Sequence, residues 1–232
     1  MRRSLRCLLV LVGCLVLVRP LAAQEASVKP GINSTFQSPD VGQFVERFEK
    51  EGREVYDRRD QIVEALGLQP GWVVADVGAG TGLFSRLMAA RIGKEGTIYA
   101  VDIAKSFVDH TVGAVRSLGA AKVEGVVCTP DDARLPENAV DLVFICDTYH
   151  HFEFPLKTMA SIHRALKPGG RVVVVDFERI EGVSSDWILG HVRAGKEVTI
   201  REIESCGFAF EGESKILKEN YLISFRKLPA AG

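Results

Sequence analysis

Cysteine is scarce in this chain. Five occur in 232 residues, and two of them, Cys7 and Cys14, fall in an N-terminal apolar stretch. The other three, Cys128, Cys146 and Cys206, are far apart, which excludes a disulfide framework. No CxxC pair or Cys/His cluster suggests zinc, so no metal is expected. An excess of charge of one sign is also missing. Lys and Arg number 29 and Asp and Glu 30, a formal net charge of −1. That balance gives no electrostatic footprint for nucleic acid, and none is expected as a partner. The apolar run from Cys7 to Val18 is about 12 residues, short of the roughly 20 that cross a bilayer. No internal repeat is visible.

What is present is an ordinary globular composition, 47% hydrophobic and 25% charged. The N-terminus departs from it. Arg2, Arg3 and Arg6 precede the apolar run, Pro20 breaks it, and Leu21-Ala22-Ala23-Gln24 follows. A basic region, a short apolar region and a small-residue site make residues 1–23 a signal peptide cut after Ala23. The chain is therefore expected outside the cytoplasm, periplasmic or secreted, with no stable membrane span after signal removal. The alternative is an uncleaved N-terminal anchor. Residues 24–39, rich in Ser, Pro, Gly, Asn and Gln, read as a flexible linker. Residues 40–232 then form one domain with an N-terminal helical cap.

Within that domain Val41, Phe44, Val45 and Phe48 recur at helical spacing, and a second helix is expected over about 58–68. Strands and helices alternate from there. Strands are expected at Trp72–Val77, Thr97–Asp102, Val123–Cys128, Val140–Cys146 and Arg171–Phe177, the last following a Lys167-Pro168-Gly169-Gly170 helix stop. Helical stripes lie between them, and Leu156, Met159, His163 and Leu166 mark one of these. A helix near 184–195 reads as an insertion; another spans 198–206, and two strands near 208–216 and 220–227 close the chain. Apolar strands alternating with helices predict a Rossmann-like, doubly wound α/β sheet that is mostly parallel, with an antiparallel C-terminal hairpin.

The sharpest motif is Asp76-Val77-Gly78-Ala79-Gly80-Thr81-Gly82, which ends a strand and opens a helix. Glycines there allow a tight turn and close backbone approach to a ligand, and the helix start offers free N–H groups. A dinucleotide fingerprint needs a further glycine where Leu83 stands. Asp76 would also face a pyrophosphate, whereas an acid there suits the ammonium of S-adenosylmethionine. Asp102 ends the second strand, where a carboxylate accepts from ribose hydroxyls, and Asp131-Asp132-Ala133 follows the third. An acid in that loop can accept from an adenine amino group. Each acid alone also reads as a solvated loop residue or helix cap. Together they mark the carboxyl ends of a parallel sheet, where such folds bind ligands.

These residues, with Val101-Asp102, Asp131-Asp132-Ala133-Arg134-Leu135-Pro136, Val140-Asp141-Leu142-Val143 and Leu166-Lys167-Pro168-Gly169-Gly170, carry a resemblance. Over about residues 58–227 the chain resembles class I S-adenosylmethionine-dependent methyltransferases of the methyltransferase domain 11/25 type. The resemblance implies S-adenosyl-L-methionine as cofactor and a seven-stranded sheet of order 3-2-1-4-5-7-6. It implies cofactor contacts at Asp76, Gly78, Ala79, Gly80 and Gly82, with Asp102 and Ile103 at the ribose. Asp132 and Ala133 would lie at the adenine, and Cys146 with Asp147 beside the methyl. The implied order puts Cys128 on an edge strand and Cys146 near the centre, which argues against a bond between them.

A sulfonium methyl is already electrophilic, so the protein must mainly align an acceptor and keep water out. Asp147-Thr148-Tyr149-His150-His151 follows the fourth strand, where the methyl should point. Asp147, His150 and His151 are the candidate bases, although a His-His pair equally serves packing. Tyr56, Arg58 and Arg59 stand on a helix able to cover the cofactor. Asp186, Trp187, His191 and Arg193 fall in the insertion, a candidate acceptor lid. The expected function is methyl transfer to a small-molecule acceptor. The alternatives are a non-catalytic S-adenosylmethionine-binding protein and a nucleotide-dependent oxidoreductase.

Overall fold

Seven strands form one sheet in the order β3-β2-β1-β4-β5-β7-β6 in the computed structural model, which describes residues 24–229. The expected signal peptide, residues 1–23, lies outside the described residues. The first helices are α1 (Val41–Phe48), α2 (Glu54–Asp57) and α3 (Arg59–Ala65). They lead into β1 (Val73–Val77), α4 (Leu83–Ile92), β2 (Thr97–Asp102), α5 (Lys105–Leu118), β3 (Lys122–Val127) and β4 (Val140–Cys146). After them come α6 (Pro155–Ala165), β5 (Leu166–Phe177), α7 (Asp186–His191), α8 (Lys196–Ser205), β6 (Phe208–Glu213) and β7 (Asn220–Lys227). The first five strands run parallel, and β7 pairs antiparallel with both β5 and β6. The strand order and the C-terminal hairpin are those expected from the sequence.

The apolar strands bury both faces. Ala75, Val77, Val143, Ile145, Val172 and Val174 point to one side, where Met159 and Ile162 of α6 and Ile203 of α8 pack on them. Val74, Leu142, Phe144, Val173 and Val175 point to the other, against Ile62 and Val63 of α3 and Phe84, Met88 and Ile92 of α4. This is the period-two alternation of a sheet covered by helices on both faces.

Three boundaries and one segment depart most from expectation. The fifth strand starts at Leu166, not Arg171, because Leu166 pairs with Val140 before a bulge that Pro168 and Gly169 (φ +74°) accommodate. The insertion helix is only Asp186–His191; Ser185 caps its start, and Arg179 takes the Leu189 and Val192 carbonyls at its end. The sixth strand ends at Glu213, next to the irregularity at Gly212. The segment expected as a flexible linker is docked in its described contacts. The Gln24 and Ser27 side chains bond Glu153, Lys29 reaches the His191 carbonyl, Asn33 donates to the His151 carbonyl, and Ser34–Phe36 form a 3-10 turn. Its polar residues find partners in the domain, which composition does not reveal. Among the described residues no helix is long and apolar enough to cross a membrane.

Candidate functional site

A cavity of about 400 Å³ opens at the carboxyl ends of β1, β2 and β4. Its floor is the glycine loop. Gly78 and Gly80 adopt φ of +79° and +51°, a region open mainly to glycine. A Cβ at Gly78 would overlap the Thr148 side chain, so the loops after β1 and β4 pack backbone to side chain here. A Cβ at Gly80 would meet nothing nearer than the Gly78 carbonyl at 3.9 Å. Bare backbone therefore faces the cavity at Gly80. At Gly82 (φ +76°) a Cβ would stand 2.7 Å from the Thr111 hydroxyl, so this glycine lets α4 and α5 approach.

Two acids frame the floor. Asp102 Oδ2 accepts from the Gly80 N–H at 3.0 Å and Oδ1 from the Ala104 N–H at 2.9 Å. Burial pushes its pKa upward. Asp76 is buried on β1 and accepts from Ser85 Oγ at 2.6 Å. Burial, helped by the charge of Asp102 and opposed by the Ser85 hydrogen bond, pushes its pKa up to about 7. No cationic side chain pairs with Asp76 among the described residues. A buried carboxylate facing a cavity without a counter-ion suits a ligand that brings a positive charge.

Of the residues expected at the cofactor, Asp76, Gly78, Ala79, Gly80, Asp102, Ile103, Ala133 and Cys146 line this cavity. Gly82 and Asp132 do not. The Asp132 carboxylate turns to Arg164 at 3.1 Å and to the Arg134 N–H at 2.6 Å, so the wall after β3 is Cys128, Thr129, Pro130 and Ala133. Tyr56, Arg58 and Arg59 also stand outside the lining; Arg59 stacks on Tyr56 instead. Arg47, Arg53, Asn33 and Phe36 line the cavity without a sequence signal that singled them out.

The three residues expected as bases all line the cavity but differ in environment. Asp147 has φ +46°, unusual for a residue with a side chain. Arg53 holds it at 2.5 Å and Asn220 at 2.7 Å. Burial raises its pKa, against the pull of Arg53. His150 is buried, with Nδ1 2.7 Å from Asp176 Oδ1, leaving Nε2 as its free nitrogen. His151 Nε2 lies 3.4 Å from His191 Nε2, and its Nδ1 is buried without a partner. Burial, then the neighbouring imidazoles and Lys29, push the His151 pKa down to about 2. The thiols are not thiolates: burial pushes Cys128 up to about 12 and Cys146 well above the ordinary value.

Aromatic rings close the cavity beyond the imidazoles. Phe36 meets His151 edge-on at 5.1 Å, Trp187 stacks on His191 at 4.8 Å, and Phe177 packs against Trp187. One cavity thus runs from bare glycine backbone and buried acids to an imidazole cluster under an aromatic wall.

Comparison with known proteins places the chain beside methyltransferases. Residues 75–174 match the family model described as a methyltransferase domain. A ubiquinone/menaquinone biosynthesis C-methyltransferase, UbiE, of Hydrogenovibrio crunogenus is 34% identical over 121 residues, 51% of this chain and 47% of that protein. The chain spans about half the length of the curated relatives it matches. A S-adenosylmethionine-dependent methyltransferase structure from Aquifex aeolicus superposes with a TM-score of 0.72 at 23% identity, covering 82% of this chain and all of that one. The [4+2]-cyclase SpnF superposes at 0.61 and 18% identity over 78% and 85% of the two chains. Residues 75–174 thus match a methyltransferase domain, the superpositions show the shared fold, and S-adenosylmethionine is the cofactor that these likenesses imply.

Proposed function

We propose that this chain transfers the methyl group of S-adenosylmethionine to a small, aromatic acceptor that carries an ionisable group. The observation that carries the reading is the continuity of the cavity from the glycine loop to the imidazole cluster and its aromatic wall. The glycine-loop end fits the cofactor: bare backbone at Gly80, the Asp102 carboxylate beside it, and unpaired Asp76 for an ammonium. S-adenosylmethionine supplies a methyl already activated on sulfur. The chain's own work is then to hold, orient and exclude water.

Asp102 and Ile103 are assigned to the ribose and Ala133 to the adenine edge. Cys146 and the Asp147 backbone form the floor beside the transferred group. The Asp147 carboxylate, held by Arg53 and Asn220, positions the loop after β4. His150 and His151 are the polar groups set to hold the acceptor, and His150, with Nε2 free, is the one placed to take up its proton, since the His151 pKa is pushed down to about 2. Phe36 and Trp187 cover it. The names of the relatives, which act on quinone precursors, agree with a ring-shaped acceptor.

The test is incubation of the purified chain with methyl-labelled S-adenosylmethionine and a fractionated small-molecule extract. Label in a small-molecule product, with matching S-adenosylhomocysteine, supports the reading. Tight cofactor binding with no transferred label in any fraction favours the non-catalytic cofactor-binding alternative. The fold alone does not fix the chemistry, as its likeness to a structure described as a [4+2]-cyclase illustrates.

Export is the second part of the proposal. It rests on the Arg2-Arg3, Cys7–Val18 and Ala22-Ala23 pattern. Mass spectrometry of the protein from its native host, finding a new N-terminus at Gln24, supports it. An intact chain in the membrane fraction supports the anchor instead.

A further inference from the structure

We propose that His150, His151 and His191 form a binding site for one divalent transition-metal ion of the zinc class, with a coordination position left open to the cavity. One ring nitrogen from each histidine lies within 4.8 Å of the other two. The closest measured approach is His151 Nε2 to His191 Nε2, 3.4 Å. Two nitrogens bound to one zinc ion at its usual distance and a tetrahedral angle stand about 3.3 to 3.4 Å apart. That pair already has the spacing of two ligands on one ion. The widest pair must close by about 1.4 Å, a shift within reach of imidazole rotation about its side-chain bonds.

The surroundings agree. Metal-bound imidazoles usually donate their second ring N–H to a carboxylate, which fixes the tautomer and strengthens the ligand. His150 Nδ1 has that partner in Asp176 Oδ1 at 2.7 Å. Asp176 is itself held by the His150 and Phe177 backbone N–H groups at 3.0 and 2.8 Å. Among the described contacts His151 Nε2 and His191 Nε2 meet only each other, at 3.4 Å. Around the three rings the charged groups are Asp176, Asp147, Lys29 and Arg47, with Asp176 in direct contact. Three imidazoles without thiolate select zinc, copper, nickel or cobalt over magnesium or calcium. Three protein ligands with a free position are the pattern of a catalytic rather than a structural site.

The open position faces the cavity that all three histidines line. With the ion bound the imidazole nitrogens would be ligands and not bases; the ion would instead hold the acceptor's ionised oxygen or nitrogen and favour loss of its proton to solvent. That role rests on the methyl-transfer reading above; binding of the ion does not.

The test uses the full chain, stripped with chelator and titrated with Zn²⁺ by calorimetry and with Co²⁺ by visible absorption. The expected result is one equivalent of either ion and the intense bands of low-coordinate cobalt. His191→Ala, at the end of a short surface helix, should lose at least tenfold in affinity and the cobalt bands while keeping its melting temperature. Asp176→Asn should weaken binding about 10- to 100-fold, as loss of a carboxylate behind a ligand does. His163→Ala, outside the cavity, should bind like the parent. No saturable binding by the parent, or equal binding by His191→Ala, overturns the proposal. S-adenosylhomocysteine affinity is measured on the same samples. Its retention with no metal binding removes only the ion, and its absence in the parent removes the cofactor reading instead.

Discussion

The carboxylate of Asp102 at the end of β2 accepts a hydrogen bond from the Gly80 N–H at 3.0 Å, so one side chain both faces the cavity and sets the glycine loop. On the proposed reading, Asp102→Ala would remove a charge-assisted contact to the ribose, and it removes the acceptor of the Gly80 N–H. The expected loss of S-adenosylmethionine affinity is about 1.5–3 kcal/mol, read by calorimetry on the folded variant. Unchanged affinity would remove Asp102 from the cofactor site.

Asp76 links the same site to stability. Its folded pKa is raised to about 7 from 3.8, so the folded state keeps a proton that the unfolded chain has released. Stability of the cofactor-free protein should therefore fall as pH rises from about 4 to 7 and level off above that. Asp102 and Asp147, also raised, add in the same direction. Asp76→Asn lacks its share of the drop. Its melting temperature should gain on the parent's as pH goes from 5 to 8, while cofactor affinity falls. Parallel melting curves across that range would contradict the assignment.

Gly78 is fixed by two separable causes, a φ of +79° and the Thr148 side chain where a Cβ would go. Gly78→Ala should cost about 2–4 kcal/mol of stability. Adding Thr148→Ala removes the two nearer side-chain atoms but keeps the Thr148 Cβ 2.7 Å away, so it should return part of the steric cost and leave more than the about 1–2 kcal/mol of the backbone alone. Denaturant unfolding of the three variants checks this; no recovery in the double variant would mean that the loops do not pack as described.

Phe36, from the segment docked over the site, meets His151 edge-on and packs on Phe44 and Phe107. Phe36→Ala should open the acceptor end and spare the glycine-loop end. With an acceptor in hand, kcat/KM should fall about tenfold or more, with S-adenosylhomocysteine affinity nearly intact. An equal loss of cofactor affinity would place Phe36 at the cofactor instead.

The sheet was legible in the sequence because each strand is an apolar run bounded by turn residues, as Trp72–Val77 and Val140–Cys146 are. The glycine loop and Asp102 were legible because their chemistry is local. The docked segment was not: Gln24, Ser27 and Asn33 look like linker residues until Glu153 and His151 provide partners more than a hundred residues away. Arg53 is one basic residue among several until Asp147 pairs with it. His191 stands 40 residues from His151 in an insertion, so no ligand spacing announces the cluster. The Asp132 position shows the opposite limit. A motif marks the loop after β3, but only the structure shows which side chain turns inward and which goes to Arg164.

The central claim is that S-adenosylmethionine lies over the glycine loop. Titrating S-adenosylhomocysteine into the parent and into Gly80→Asn tests it most directly. Asn tolerates the left-handed conformation of this position, and its side chain would enter the cavity, where a Cβ meets nothing within 3.9 Å. The account predicts one-to-one binding by the parent and loss of at least tenfold in affinity for the variant, at a similar melting temperature. Binding of equal strength to both proteins, or none to the parent, would contradict it.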